Sequence, residues 1–288
     1  MLFRSCFNPR LSARPGSVGV PGPGIEMRIA EGTNATKIYP GKVCNNTNQA
    51  LARIVMTDGL VEAAGKLPPL VDRLPKEPMV FKASNMPDGI GVYGDVMRHV
   101  IGGRPEGWNY MAGQSQGWGG IDIGTMECLT RTGPLFEIKA DELAPMPNLA
   151  KSWEWSEDGH TLTMHLVEGA KWSDGVEFTS EDAMFYWEDN VVDPNVSPLN
   201  GATPESFGEG TTLAAPDKYT LVWTFKEAFP AQYIYQMAYG TFCPGPAHIF
   251  KPLHPKYKEG QTYDQYKNAI PPEWMNIPVM GAWVPVTY

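Results

Sequence analysis

The sequence is poor in basic residues. Its 288 residues carry 23 Lys and Arg against 32 Asp and Glu, a formal charge of −9. Nucleic-acid binding leaves a basic footprint, so this balance excludes nucleic acid as an expected partner. There is no run of 18 apolar residues, and hence no expected transmembrane segment. The amino terminus lacks a clean secretory signal. Arg4, Arg10 and Arg14 are basic, but Pro9, Pro15, Gly16 and Gly19 interrupt the stretch where an apolar core should lie. Cysteine is scarce, with only Cys6, Cys44, Cys128 and Cys243. An even count permits disulfides in an exported chain, yet spacing alone assigns no partners and free buried thiols fit equally well. No phosphate loop and no His-Glu-x-x-His string occurs. His160 and His165 have opposite strand parity, and His248 and His254 have no Cys or acidic third ligand nearby in sequence. No metal site, cofactor or catalytic residue is therefore expected. Glu154 with Glu157 and Asp174 with Glu177 read as solvated faces or turn caps, not as a hydrolytic acid pair.

Aromatics are plentiful: 9 Trp, 12 Tyr and 11 Phe supply large apolar area for a core. The 27 Pro and 30 Gly indicate a strand-and-loop chain with long irregular connections. Residues 195–217 read as a polar loop, and residues 244–272 as mostly irregular. Pro230 opens a predicted helix over 231–238. Asn34-Ala35-Thr36, Asn45-Asn46-Thr47 and Asn195-Val196-Ser197 fit the glycosylation pattern, a spelling short enough to arise by chance.

The best specified run is Leu149 to Glu188. Ser152-Trp153-Glu154-Trp155 alternates polar and aromatic, the period of a half-buried strand. Asp158-Gly159 marks a tight turn. Alternation then resumes, with Leu162, Met164 and Leu166 on one side and Thr161, Thr163 and His165 on the other. This predicts a hairpin over 152–166. A second turn follows at Asp174-Gly175. Thr179 is a helix N-cap, and Glu181 and Asp182 sit where the helix dipole favours acid, so a helix is predicted near 180–190. Its buried stripe is Ala183, Tyr186, Trp187 and Asn190, and Asp193-Pro194 ends it. Farther on, Tyr219, Leu221, Trp223 and Phe225 alternate along one face of a strand.

These blocks resemble the signature region of the extracytoplasmic solute-binding proteins of ABC transporters, in the peptide- and nickel-binding family. The matching residues are Leu149-Ala150, Ser152-Trp153-Glu154, Ser156, Asp158-Gly159, Thr161, Lys171-Trp172-Ser173-Asp174-Gly175, Phe178-Thr179 and Asp182. Ala64-Gly65-Lys66-Leu67-Pro68-Pro69, Asp72-Arg73-Leu74-Pro75, Tyr219 to Phe225, and Pro278-Val279-Met280-Gly281-Ala282-Trp283 extend the likeness over residues 60 to 288. The resemblance implies an α/β fold: the first lobe of a periplasmic binding protein-like (type II) two-lobed fold, with a mixed sheet and long loops. It implies a lobe over 59–280, an uncertain or partly disordered segment over 1–58, and the start of a crossing to a second, missing lobe at 281–288.

The implied activity is capture of a small solute, with peptide as the expected class, for the membrane permease subunits of an ABC importer. The implied place is the periplasm or extracytoplasmic face of the envelope, and the protein is expected not to be an enzyme. The alternatives are a truncated, non-binding fragment of such a protein and a hydrolase acting on peptides or glycosides. Candidate ligand contacts are Trp118 and Gly119, where Gly lets backbone approach a ligand, Arg131, which suits an anionic ligand group, and Trp172. For Trp172 the plainer reading is a ring packed under the Asp174-Gly175 turn. Trp274, Met275, Ile277, Val279, Met280, Trp283, Val284 and Val286 crowd the carboxyl end. They are expected to form an exposed patch or unpaired edge, or else to fold back as an edge strand.

Overall fold

A computed structural model of the chain describes residues 3–5, 27–31, 37–41, 75–77, 106–107, 109–114, 125–131, 145–198, 202–228, 234–235, 237–238, 241–268, 277–280 and 283–285. The chain divides into two compact units. One comprises residues 1–100, 169–177 and 278–288, and the other residues 101–168 and 178–277.

In the first unit, β1 (Phe3–Ser5) pairs antiparallel with β10 (Trp283–Pro285), placing Arg4 opposite Val284. Strands β2 (Met27–Glu31) and β3 (Lys37–Gly41) form a second antiparallel pair. Near the carboxyl end Val279 and Met280 are buried, as is Ile277 of the other unit. Together with the β1–β10 pairing, this corrects the exposed-patch expectation for those positions: the end folds back as a paired strand. Trp274, Met275 and Val286 lie outside the described residues.

The second unit is built on a four-stranded antiparallel sheet. Its strands are β6 (Ala150–Trp155), β7 (Thr161–Leu166), β8 (Thr212–Asp217) and β9 (Thr220–Thr224), in the order β6-β7-β9-β8. Where a mixed sheet was expected, every strand pair among the described residues is antiparallel. The predicted hairpin is present. At its turn Ser156 Oγ donates to Asp158 Oδ1 at 2.6 Å, the His160 amide donates to the same oxygen at 3.1 Å, and Gly159 takes φ 73°. The left-handed φ is what glycine supplies there without a Cβ penalty.

Period-2 alternation then fixes the face. Leu162, Met164 and Leu166 are fully buried while Thr161, Thr163 and His165 are not. Register lines up the inward residues: Trp155 opposes Leu162, Leu162 opposes Trp223, and Trp223 opposes Leu213. Each fully buried side chain of this size contributes roughly 1.5–3 kcal/mol from apolar burial. At the centre, Trp223 stacks on Phe207 at 5.6 Å and meets Trp187 and Phe242 edge-on at 5.1 and 5.0 Å. Edge-on and offset arrangements suit the ring quadrupoles.

Helix α1 (Ser180–Tyr186) starts where predicted, and a π-turn over Trp187–Val191 prolongs it. Thr179 accepts from the Glu181 amide, and Asp182 Oδ2 accepts from the Thr179 amide at 2.9 Å, a complete capping box. The other oxygen of Asp182 accepts from the Ala247 amide at 2.9 Å. Ala247 begins α2 (Ala247–Phe250), so one buried carboxylate caps two helix starts. The predicted stripe of Ala183, Tyr186, Trp187 and Asn190 is buried.

The reading of 244–272 as mostly irregular is corrected by α2, a 3-10 turn at Lys251–Leu253, and α3 (Tyr263–Lys267). Helix α3 is opened by a Thr262–Gln265 capping box. Of the helix predicted over 231–238, Ile234 and Tyr235 are helical, and residues 231–233 and 236 lie outside the described residues. Cys128 and Cys243 form a disulfide across 115 residues, settling a pairing that spacing left open. Among the described residues no helix is long and apolar enough to cross a membrane.

Candidate functional site

Of the two candidate ligand contacts among the described residues, Arg131 lies in a polar cluster. It ends β4 (Thr130–Arg131), which pairs with β5 (Met146–Pro147). Its Nη2 donates to both Glu127 carboxylate oxygens at 2.6 Å, and its Nε donates to Asn148 Oδ1 at 2.9 Å. Asn148 Nδ2 in turn donates to Glu127 Oε2 and to the Cys128 carbonyl, both at 2.8 Å. Charge-assisted bonds of this kind fix planar groups in one orientation.

The backbone beneath the cluster is equally tied. The Thr130 amide donates to the Met237 carbonyl, Thr130 Oγ1 to the Ile234 carbonyl, and the Ala150 amide to the Leu129 carbonyl. The Cys128–Cys243 bridge adjoins Glu127 in sequence. The result is a rigid, partly exposed array of guanidinium, carboxylate and amide, with 31% of the Arg131 side chain and 11% of that of Glu127 exposed. Glu127 balances the Arg131 charge within the cluster. The Glu127 and Asn148 partners were not read from the sequence, although Glu127 lies four residues before Arg131.

Trp172 belongs to the other unit. Its amide donates to the Val176 carbonyl at 2.8 Å, its carbonyl accepts from the Gly175 amide at 2.8 Å, and Asp174 Oδ1 accepts from the Val176 amide at 3.0 Å. Gly175 takes φ 92°, and the indole is buried with 2% exposed. Ser173 and Val279 exchange two bonds, through the Ser173 amide and the Ser173 Oγ, each 3.0 Å long. The segment is a locked turn with its tryptophan inside. Trp118 and Gly119 lie outside the described residues. Trp153 and Trp155 of β6 are half-buried, and Trp155 packs on Phe225 at 5.7 Å, as part of the sheet's inner face.

The expectation that His254 has no acidic neighbour is corrected in space. It is fully buried, and its Nε2 lies 3.9 Å from Asp193 Oδ2. No group of three or more metal-ligating side chains occurs among the described residues.

Two strings in the chain carry the spelling of enzyme motifs. Gly113-Gln114-Ser115-Gln116-Gly117 matches Gly-x-Ser-x-Gly, but the nucleophile elbow needs a strand before the serine. Here a 3-10 turn over Tyr110–Ala112 precedes it, and Gln114 is buried and donates to Asn268 Oδ1 at 3.4 Å. Gly89-Ile90-Gly91-Val92-Tyr93-Gly94 matches a dinucleotide-binding spelling and lies outside the described residues.

Comparison with known proteins gives the fold and its relatives. The sequence model for bacterial extracellular solute-binding proteins, family 5 (middle), matches residues 144–288. The periplasmic alpha-galactoside-binding protein of Rhizobium meliloti (strain 1021) is 75% identical over 225 residues, covering 78% of this chain and 32% of that protein. The solved structure of the periplasmic binding protein MelB from Agrobacterium fabrum C58, in complex with stachyose, is 60% identical. It superposes with a TM-score of 0.75, covering 99% of this chain and 40% of that one. A solved oligopeptide-binding protein OppA, 24% identical with a TM-score of 0.52, covers 80% of this chain and 35% of its own, and shares the fold alone. The chain thus spans about a third of the length of the curated galactoside-binding relative. Its fold is part of a type II periplasmic binding-protein lobe, as the sequence led us to expect.

Proposed function

We propose, from the premise that this chain belongs to the bacterial extracellular solute-binding proteins of family 5, that it captures an α-galactoside oligosaccharide in the periplasm for an ABC importer. The observation that carries this reading is the 75% identity to a protein named for binding alpha-galactosides. The MelB likeness, at 60% identity to a protein solved with stachyose, supports the same solute class. Peptide, the class implied by the family resemblance, gives way to oligosaccharide, because the sequence likeness to peptide-binding proteins covers 18–26% of this chain, against 78% for the galactoside-binding relative. The relatives are named as binding proteins, which argues against the hydrolase alternative.

The side-chain chemistry agrees with a neutral, polyhydroxylated solute. Arg131, with its charge balanced by Glu127 and its Nε held by Asn148, brings no net charge to the surface of this cluster, which supports a neutral solute better than an anionic one. Trp118, as a residue type, suits the apolar face of a sugar ring, and Gly119 beside it leaves room for close approach. Trp172 serves the turn that holds it. The membrane permease subunits of the importer are the implied protein partner.

The test is a transplant. Residues of the Rhizobium meliloti relative that align with this chain are replaced by this chain, and uptake of a labelled α-galactoside is measured in cells lacking the native binding protein. Uptake restored above the empty-vector level, and abolished by excess unlabelled stachyose but not by peptide, is the expected result. A folded, exported hybrid that supports no galactoside uptake would overturn the proposal.

A further inference from the structure

A second polar cluster, which solute capture does not use, surrounds His254. The ring is fully buried. It meets Tyr266 edge-on at 4.6 Å, Tyr263 at 5.8 Å and Phe185 at 6.2 Å, and Tyr257 lies at 6.1 Å. His254 Nδ1 accepts from the Lys256 amide at 3.2 Å. That role places the proton of the neutral ring on Nε2, which is buried and lies 3.9 Å from Asp193 Oδ2, and the Asp189 backbone also faces the ring.

Two carboxylates at the end of α1 face this ring, and both are already engaged. Asp189 accepts from Lys256 Nζ and from Tyr257 Oη, each at 2.7 Å. Asp193 accepts from Tyr263 Oη at 2.8 Å and from the Asn195 amide at 2.8 Å. Tyr266 Oη donates to Asn190 Oδ1 at 2.6 Å, and Lys251 Nζ donates to Glu181 at 2.9 Å while lying over the Tyr257 ring. The segment 251–268 is therefore pinned to α1 and its π-turn by side-chain bonds that converge around one buried imidazole.

We propose that this cluster is an acid-sensitive latch: protonation of His254 releases residues 251–268 from the end of α1 while the four-stranded sheet stays folded. The geometry requires a neutral ring. A proton on Nδ1 would turn the acceptor of the Lys256 amide into a second donor facing it. The new charge would lie inside a shell of four aromatic rings. Asp193 Oδ2, at 3.9 Å, lies beyond hydrogen-bond reach of Nε2, so the new charge gains that partner only if the carboxylate leaves its present place.

Burial lowers the His254 pKa from 6.5, and although Asp189 and Asp193 oppose it, the net direction stays down, with Lys256 adding to the lowering. A folded-state pKa below the unfolded value means that the stability contribution is complete above 6.5. It is lost as the pH falls through the folded value. Asp193, held below its ordinary 3.8 against an opposing desolvation effect by bonds from Asn195 and Tyr263, acts only at lower pH. The mild-acid response thus belongs to the histidine.

The test is amide hydrogen exchange of this chain read by mass spectrometry from neutral to mildly acid pH, corrected for intrinsic exchange. Peptides covering 251–268 are compared with peptides covering 161–166 and 220–224. The segment is expected to open more readily than the sheet. Below pH 6.5 its opening constant should rise by up to about ten-fold per pH unit, since one proton is taken up on opening. His254→Gln should remove that rise. Opening of segment and sheet with one shared constant, or a rise that persists in His254→Gln, would overturn the latch. The wild-type ring gives a readout that does not depend on the variant. Its imidazole carbon resonance, identified by its proximity to the Tyr266 ring, should titrate below 6.5, and a midpoint at or above 6.5 would contradict the proposal.

Discussion

Opening the Cys128–Cys243 bridge should remove a large part of the second unit's stability. The bridge joins residues 115 apart, and no other described covalent link constrains that loop. Loop-closure entropy for a loop of about this length is worth about 5 kcal/mol at 25 °C. Residual structure in the unfolded chain lowers the yield, so a loss of about 3–5 kcal/mol is expected. The perturbation is the double variant Cys128→Ser, Cys243→Ser, which leaves Cys6 and Cys44 untouched. The assay is urea unfolding followed by tryptophan fluorescence, for which Trp187 and Trp223 in the aromatic core are suitable reporters. The midpoint should fall, and the slope should rise, because an unbridged unfolded chain exposes more surface. The backbone ties of Thr130 to Ile234 and Met237 should survive, so the native far-ultraviolet spectrum should be unchanged in buffer. An unchanged midpoint with an unchanged slope would refute the reasoning, because it would mean the bridge does not limit the unfolded chain.

Three further substitutions read the local architecture. Asp182→Ala should cost about 2–4 kcal/mol, from the lost cap of α1 and the buried Ala247 amide left without its acceptor; a loss under about 1 kcal/mol by urea unfolding would mean that the two caps do not depend on it. Gly113→Ala and Gly175→Ala both force a non-glycine residue into left-handed backbone, at φ 86° and 92°. A Cβ at Gly113 also collides with the Ser197 carbonyl, whereas the space around Gly175 is open. Gly113→Ala should therefore lower the melting temperature clearly more than Gly175→Ala, and equal shifts would contradict the packing argument.

Much of the second unit was legible in the sequence because its signals are local. The hairpin rests on strict alternation and an Asp-Gly turn, and α1 on Thr179 with two acidic residues after it. Helix α3 carried an equally local signal, Thr262 with Gln265 three residues on, but it sits among prolines that suggested irregular chain. Helix α2 had no such signal, since its cap is Asp182, 65 residues away. Long-range chemistry was invisible for the same reason. Nothing in spacing pairs Cys128 with Cys243, or brings Lys256 to Asp189 across 67 residues. Arg131 was singled out as a contact for an anionic group, but its Asn148 partner comes from the strand connection 17 residues later, and its charge is met by Glu127. The solute class proposed above was not legible in the sequence, because the recognisable blocks specify turns and a core.

Titration calorimetry tests the central claim most directly. The protein is this chain joined to the non-aligning remainder of the Rhizobium meliloti galactoside-binding relative, titrated separately with stachyose and with a tripeptide. A saturable, one-site heat with stachyose and none with the tripeptide is the predicted result. Saturable binding of the tripeptide with no heat from stachyose would contradict the account.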